Sequence, residues 1–177
     1  MLHSRGPAEH TSLEVVDLAL GDGFINPSPL PRGVSMTTAH DILRYKGQTV
    51  HSVRPDDTVL SALGVMAEHD IGAVLVVEGD QLLGILTERD YARKVALMGR
   101  ASRDSPVRAI MTANVVCIPS NRTVEECMGL MTERRCRHLP VVENGRVIGL
   151  VSIGDLVKAT IDEQEFTINQ LKNYIAG

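Results

Sequence analysis

The chain has no tryptophan, only three tyrosines and two phenylalanines, and a formal charge of −4 over 177 residues. Proteins that grip nucleic acid need a basic field, and those that hold single strands need aromatic faces for stacking. Both are missing, so nucleic acid is not expected as a main partner. Cysteine is scarce too: Cys117, Cys127 and Cys136 are an odd number, at spacings that fit neither a zinc site nor a small disulfide framework. They read as the reduced thiols of an intracellular protein. The longest apolar runs, residues 73–77 and 82–86, fall far short of the roughly 18 to 20 residues that cross a bilayer, and no signal pattern opens the chain. No membrane association is expected.

Catalytic signatures are missing as well. Gly149, Ser152 and Gly154 miss the Gly-x-Ser-x-Gly elbow by one residue, and Gly21 and Gly23 lack the third glycine of a dinucleotide fingerprint. There is no Walker loop and no His-Glu-x-x-His, and the six histidines are scattered singly. Neither an enzyme nor a metal site is expected.

What is present is a repeat. At a constant offset of 65, Val50 falls on Val115, Thr58 and Val59 on Thr123 and Val124, Gly64 on Gly129, Met66 on Met131, Gly84 on Gly149 and Asp90 on Asp155. Each copy is too short to close a core alone, so two copies packed by pseudo-twofold symmetry would bury their apolar faces together and leave a cleft at the seam. A hydrophobic content of 44% with 23% charged residues supports such a core. Residues 1–35 differ in kind. Pro27, Pro29 and Pro31 forbid helix or central strand there, so this stretch reads as a flexible N-terminal extension with no assigned function. The first unit is expected over residues 36–100, the second over 101–160, and a C-terminal helix extension over 161–177.

Within each unit the local signals predict strand, helix, strand, strand, helix. Thr123 and Glu126 form a capping box before the apolar positions Cys127, Leu130 and Met131, and Thr58 opens the sister helix with the stripe Val59, Ala62, Leu63 and Met66. Residues 72–77 and 82–86 are short branched apolar runs around Gly79 and Asp80, predicting strands covered on both faces. Residues 139–142 and 147–151 repeat this around Asn144-Gly145, a strong hairpin signal. A helix follows each hairpin: residues 88–98, stopped by Gly99, and a longer one from 154 to about 175. Ile161, Ile168 and Ile175 recur by sevens on the second helix with Leu171 and Tyr174 beside them, a stripe beyond the unit's own needs.

Each hairpin runs into Gly-x-x-(Thr/Ser)-x-x-Asp: Gly84, Thr87 and Asp90, then Gly149, Ser152 and Asp155. Seen once, a hydroxyl at a helix start with an acid three residues later is a structural capping box. Seen at both equivalent turns it suits a nucleotide. A strand-to-helix turn offers unpaired N–H groups and the positive dipole end to a phosphate, and an ionised Asp accepts both hydroxyls of a ribose diol.

The duplicated unit, the two turns, Ile110-Met111-Thr112 before the second copy, and Arg137-His138-Leu139-Pro140-Val141-Val142 together resemble a tandem pair of cystathionine-β-synthase-type (CBS) domains, the Bateman module, over about residues 38–160. That resemblance implies an α/β (α+β) fold of two pseudo-twofold-related β-α-β-β-α units paired through their sheets, with two adenine-nucleotide clefts between them. It implies that Asp90 and Asp155 hold ribose and that Thr87 and Ser152 touch ribose or phosphate. Asp155 is expected to share its cleft with Val50 and His51 and with Ile71, Gly72 and Ala73, and Asp90 with residues 112–116, including Thr112, Val115 and Val116. Arg137 and His138 stand where the family often places phosphate contacts, whereas the first copy has Gly72 and Ala73, so the clefts should be unequal. Arg137 also reads as a solvated charge beside Arg134 and Arg135, and His138 as a loop residue satisfied by backbone.

The function implied is a regulatory module that binds AMP, ATP, NAD(H) or S-adenosylmethionine and signals by a change of shape or of affinity for a protein partner. The alternative is an interaction protein with vestigial clefts, of which a thioredoxin-system partner is one example suggested by plant organelle members. A homodimer through the C-terminal stripe is expected, as is a cytoplasmic location, with an organelle matrix as the alternative. Cys127 reads as core, and Cys117 and Cys136 as partly exposed. Redox sensing by the thiols would need a neighbour that lowers a thiol pKa, and the sequence shows none.

Overall fold

The computed structural model describes residues 13–14, 37–97, 99 and 101–176. Leu13–Glu14 forms a short strand, β1, and the rest of the expected 1–35 extension lies outside the described residues apart from this strand. Helix α1 (Ala39–Lys46) precedes the first unit, made of β2 (Ser52–Val53), α2 (Val59–His69), β3 (Ala73–Glu78), β4 (Gln81–Thr87) and α3 (Glu88–Tyr91). The second unit repeats it as β5 (Ile118–Pro119), α4 (Val124–Arg134), β6 (His138–Glu143), β7 (Arg146–Ser152) and α5 (Ile153–Ala176). The fold is thus mixed α/β, two copies of β-α-β-β-α.

Local chemistry explains the elements. Thr38, Thr58 and Thr123 each cap a helix by accepting a backbone N–H three residues on, and in two of the three an acid three residues on bonds back to close a capping box. The β6–β7 hairpin turns at Asn144 and Gly145, with φ of 50° and 76°, the paired positive values that a type I′ turn requires. β3 with β4, and β6 with β7, are antiparallel, and both ladders shift register at equivalent places, between Val76 and Val77 and between Val141 and Val142. The helix expected over 88–98 takes a different form. It is α-helical only to Tyr91, then widens into a π-helical stretch over Ala92–Ala96, and Met98 lies outside the described residues. Gly99 has φ of 63°, as a helix-ending glycine can adopt.

The strand order β2-β3-β4-β1-β7-β6-β5 is a palindrome about β1. β1 runs parallel to β4 and antiparallel to β7, so the two halves run in opposite senses, as a pseudo-twofold axis demands. Three apolar clusters follow from the strand period of two. In β3, Val74 and Val76 point to the first unit's own helices, while Ala73 and Leu75 point to a central cluster shared with Leu82, Ile85, Val115 and Val147. The central cluster draws on both units and is the seam.

The segments that lead into the units cross over. α1 precedes the first unit but buries Ala39, Ile42 and Leu43 in the second unit's core with Val124, Met131 and Leu139. Its entry is tied there by Ala39 N–H to Arg122 O and His40 N–H to Ser120 O, both 2.8 Å. Conversely, the 3-10 turn Val107–Ala109 leading into the second unit buries Val107, with Ile110, in the first unit's core. Each unit is therefore completed by the other's leader.

Candidate functional site

Both Gly-x-x-(Thr/Ser)-x-x-Asp turns fold as reciprocal caps at the start of a helix. Thr87 N–H and Oγ1–H donate to Asp90 Oδ2 at 3.1 and 2.6 Å, and Asp90 N–H returns to Thr87 Oγ1 at 3.1 Å. Ser152 and Asp155 repeat the figure at 2.7, 2.7 and 3.3 Å. The capping and ligand readings therefore use the same atoms, and what distinguishes them is what else reaches each carboxylate.

At Asp90 two further donors converge on Oδ1: Lys94 Nζ at 2.8 Å and Thr112 Oγ1 at 3.3 Å. Lys94 also donates to Ile110 O at 2.8 Å. Thr112 pairs with Ile85 through two backbone bonds, Ile85 N–H to Thr112 O at 3.0 Å and Thr112 N–H to Ile85 O at 2.9 Å. Gly84 permits this approach, since a Cβ there would lie 2.8 Å from Met111 Sδ and 2.9 Å from Thr112 O.

At Asp155 the third donor is Lys46, carried across by α1, with Nζ at 2.6 Å from Oδ2 and 3.1 Å from Leu150 O. Burial raises the Asp155 carboxyl, but the bonds from Lys46 and Ser152 outweigh it and hold the group below its usual value. His138 begins β6 opposite Ser152. Burial pushes its imidazole below the usual range, the nearby charges of Lys46 and Arg137 push it further, and Asp155 pulls the other way. Lys46, Arg137, His138, Ser152 and Asp155 therefore form one electrostatic neighbourhood. Gly72 of the first unit adjoins it across the seam: a Cβ there would come 3.3 Å from Glu88 Oε2 and 3.9 Å from His138 Cε1.

Among the other residues singled out from sequence, Val50, Ala73 and Val115 belong to the seam cluster, Val116 packs on the second unit's core and Ile71 on the first unit's. His51 turns to His69, whose ring it stacks on at 3.9 Å, and burial followed by the His69 charge holds its imidazole below the usual range. Sequence reasoning missed Lys46 and Lys94. Lys94 was readable as the i,i+4 partner of Asp90, whereas Lys46 stands 109 residues from Asp155 and has no local signal.

The thiols are poor nucleophiles. Burial raises Cys117 to about 11 and Cys127 to about 12, and Cys136 is also raised by burial. A separate groove of about 370 Å³ lies between α4 and α5, lined by Glu125, Thr160, Glu163, Gln164, Thr167 and Ile168. With two carboxylates and no cation it does not suit a phosphate. Among the described residues no group of three or more His, Cys, Asp or Glu side chains is placed to hold a metal ion, and no helix is long and apolar enough to cross a membrane.

The CBS domain family matches residues 47–97 and 107–162, so this chain belongs to the CBS domain family and carries a tandem pair. The mitochondrial CBS domain-containing protein CBSX3 of Arabidopsis thaliana is 39% identical over 154 residues, covering 82% of this chain and 75% of that protein. A solved CBS-domain protein from Burkholderia ambifaria is 51% identical with a TM-score of 0.70, covering 72% of this chain and 96% of that one. The fold is also shared, at 23% identity and a TM-score of 0.64, with a CBS domain pair crystallised with 5′-methylthioadenosine and S-adenosyl-L-methionine, over 72% of this chain and 98% of that one. Proteins of this family with tandem pairs serve regulation and signal transduction.

Proposed function

We propose that this chain is a regulatory sensor of an adenosyl ligand (AMP, ATP, NAD(H) or S-adenosylmethionine) held between the two CBS units, and that occupancy changes its shape or its affinity for a protein partner. The observation that carries this is the pair of hydroxyl–aspartate turns, each met at its carboxylate by a lysine and one of them flanked by Arg137 and His138. An ionised carboxylate for a diol beside cations for a phosphate is the chemistry a nucleotide needs. That the same fold holds two adenosyl compounds in a distant domain pair supports the reading. The role requires no catalytic step.

A ligand panel followed by thermal denaturation tests it. Saturation at 100 times the dissociation constant stabilises by about 2.7 kcal/mol, which for a chain of this size raises the midpoint by roughly 5–10 °C. A flat response to all four ligand classes overturns the proposal.

A second reading rests on the surface of α5. Ile161, Phe166, Ile168, Leu171, Tyr174 and Ile175 are all exposed along it, and Ile161, Ile168 and Ile175 keep the spacing of seven. We infer that this stripe is covered by a second copy of the chain about a twofold axis, giving a homodimer, or by the regulated partner. The mitochondrial name of the Arabidopsis relative favours the organelle-matrix alternative to a cytoplasmic location.

A further inference from the structure

The two clefts are related by the repeat, yet they are closed by different means. In the first, the leader of the second unit lays its main chain over β4: Thr112 forms a two-bond bridge with Ile85, and its hydroxyl reaches Asp90 Oδ1. Both oxygens of Asp90 are engaged, Oδ2 by Thr87 and Oδ1 by Lys94 and Thr112, and its side chain keeps 14% of its exposure. A ribose diol arriving there would have to displace Lys94 and the Thr112 hydroxyl, and the latter is held in place by the backbone bridge to Ile85 and the close approach of Met111 to Gly84.

In the second cleft the repeat places Gly47 where the first has Thr112, and Lys46 where it has Met111. Gly47 has no hydroxyl, and its N–H is spent on Leu43 O at 2.9 Å as the end of α1. The carbonyl equivalent to Ile85 O is Leu150 O, and it receives Lys46 Nζ instead of a peptide N–H. A side chain thus does what the main chain does in the other cleft. Among the described residues the donors to Asp155 all fall on Oδ2 and none on Oδ1, and its side chain is 22% exposed against 14% for Asp90, while Lys46 and Lys94 are about equally exposed. Swinging one half-exposed lysine aside costs a solvent-screened ion pair and its bond to Leu150 O, whereas opening the first cleft costs the Lys94 pair and a hydroxyl anchored by a β-bridge.

We propose, building on the nucleotide reading above, that the clefts have divided roles: the Asp155 cleft takes one ligand per chain, Lys46 exchanges Asp155 for the ligand's phosphate, and the Asp90 cleft is a closed structural joint. Lys46 and Arg137 face Asp155 on one side of the cleft, and Glu88 lies across the seam at Gly72, so the two cations stand where a phosphate can pair with them, and the ligand class is an anionic adenine nucleotide in preference to adenosine or to the sulfonium of S-adenosylmethionine.

Calorimetric titration of the full chain with AMP, adenosine and S-adenosylmethionine tests this, with Asp155→Asn and Lys46→Met as variants. Expected are one AMP per chain, at least about tenfold weaker AMP binding in Asp155→Asn, and a loss of about tenfold for AMP in Lys46→Met with adenosine held or improved. Asn keeps a cap acceptor, and Lys46→Met tests the division independently should Asp155→Asn unfold. Two AMP per chain, full affinity in Asp155→Asn, or an equal loss for AMP and adenosine in Lys46→Met would each overturn the division while leaving the nucleotide reading standing. No heat with any of the three probes, together with a flat thermal panel, overturns the nucleotide reading itself and the division with it.

Discussion

Replacing Gly84 with alanine adds one methyl group at the place where the second unit's leader lies closest to β4. The new Cβ would stand 2.8 Å from Met111 Sδ and 2.9 Å from Thr112 O. Met111 is partly buried and its thioether can shift, but Thr112 O is a backbone atom that accepts from Ile85 N at 3.0 Å, one residue from the substitution. Contact near 3.4 Å is restored only if the leader retreats by about half an ångström, which stretches both bonds of the bridge and the Thr112 tether to Asp90. Overpacking of this kind costs about 1–3 kcal/mol, and for a chain of this length each kcal/mol lowers the midpoint by about 2–4 °C. Differential scanning calorimetry should therefore show a fall of roughly 2–12 °C. Gly149→Ala is the internal comparison, because its Cβ would meet Leu43 Cδ2 at 2.5 Å, a side-chain end, albeit one only 1% exposed. Its melting should fall as well, through displacement of α1. A Gly84→Ala midpoint within about 1 °C of wild type would refute the close docking of the leader on which the closed Asp90 cleft depends.

Three further outcomes are expected. Asp90→Ala loses a cap, the Lys94 pair and the Thr112 tether, and with the half-exposed ion pair discounted it should cost about 1–2 kcal/mol in denaturant unfolding; an unchanged midpoint would remove its structural role. Asp41, held low by bonds from Thr38, and Asp155 contribute stability that is complete above their unfolded value of 3.8 and is lost as the pH falls through their lower folded values, while His51 and His138, held below 6.5, lose stability as the pH falls from 6.5 towards theirs. Melting midpoints should thus fall in two stages on acidification, and His51→Asn with His138→Asn should flatten the first stage; an unaltered profile would contradict the burial of these rings. Finally, light scattering should give a dimer for the full chain and a weaker dimer or monomer for a chain ending after Thr160, since full burial of each exposed isoleucine or leucine is worth about 1.5–3 kcal/mol; a full chain that stays monomeric at high micromolar concentration would refute the interface.

Features that depend only on neighbours along the chain were legible in the order of residues. The caps at Thr58 and Thr123 need only residues three positions apart, the Asn144-Gly145 turn needs only two positive φ values, and the strand runs declare themselves by composition. The repeat itself, with Asp90 and Asp155 at equivalent turns, is likewise visible at the fixed offset. The tertiary structure decided what depends on the path of the chain. Nothing in residues 39–46 announces that this helix completes the unit it does not precede, because an amphipathic helix specifies which of its faces is buried and leaves open the surface that buries it. For the same reason Lys46 could not be assigned to Asp155 across 109 residues, and His51 could not be turned towards His69. Which group reaches each repeated carboxylate from a crossing leader, the Thr112 hydroxyl at Asp90 and the Lys46 ammonium at Asp155, is likewise settled only once the two units have packed across the seam.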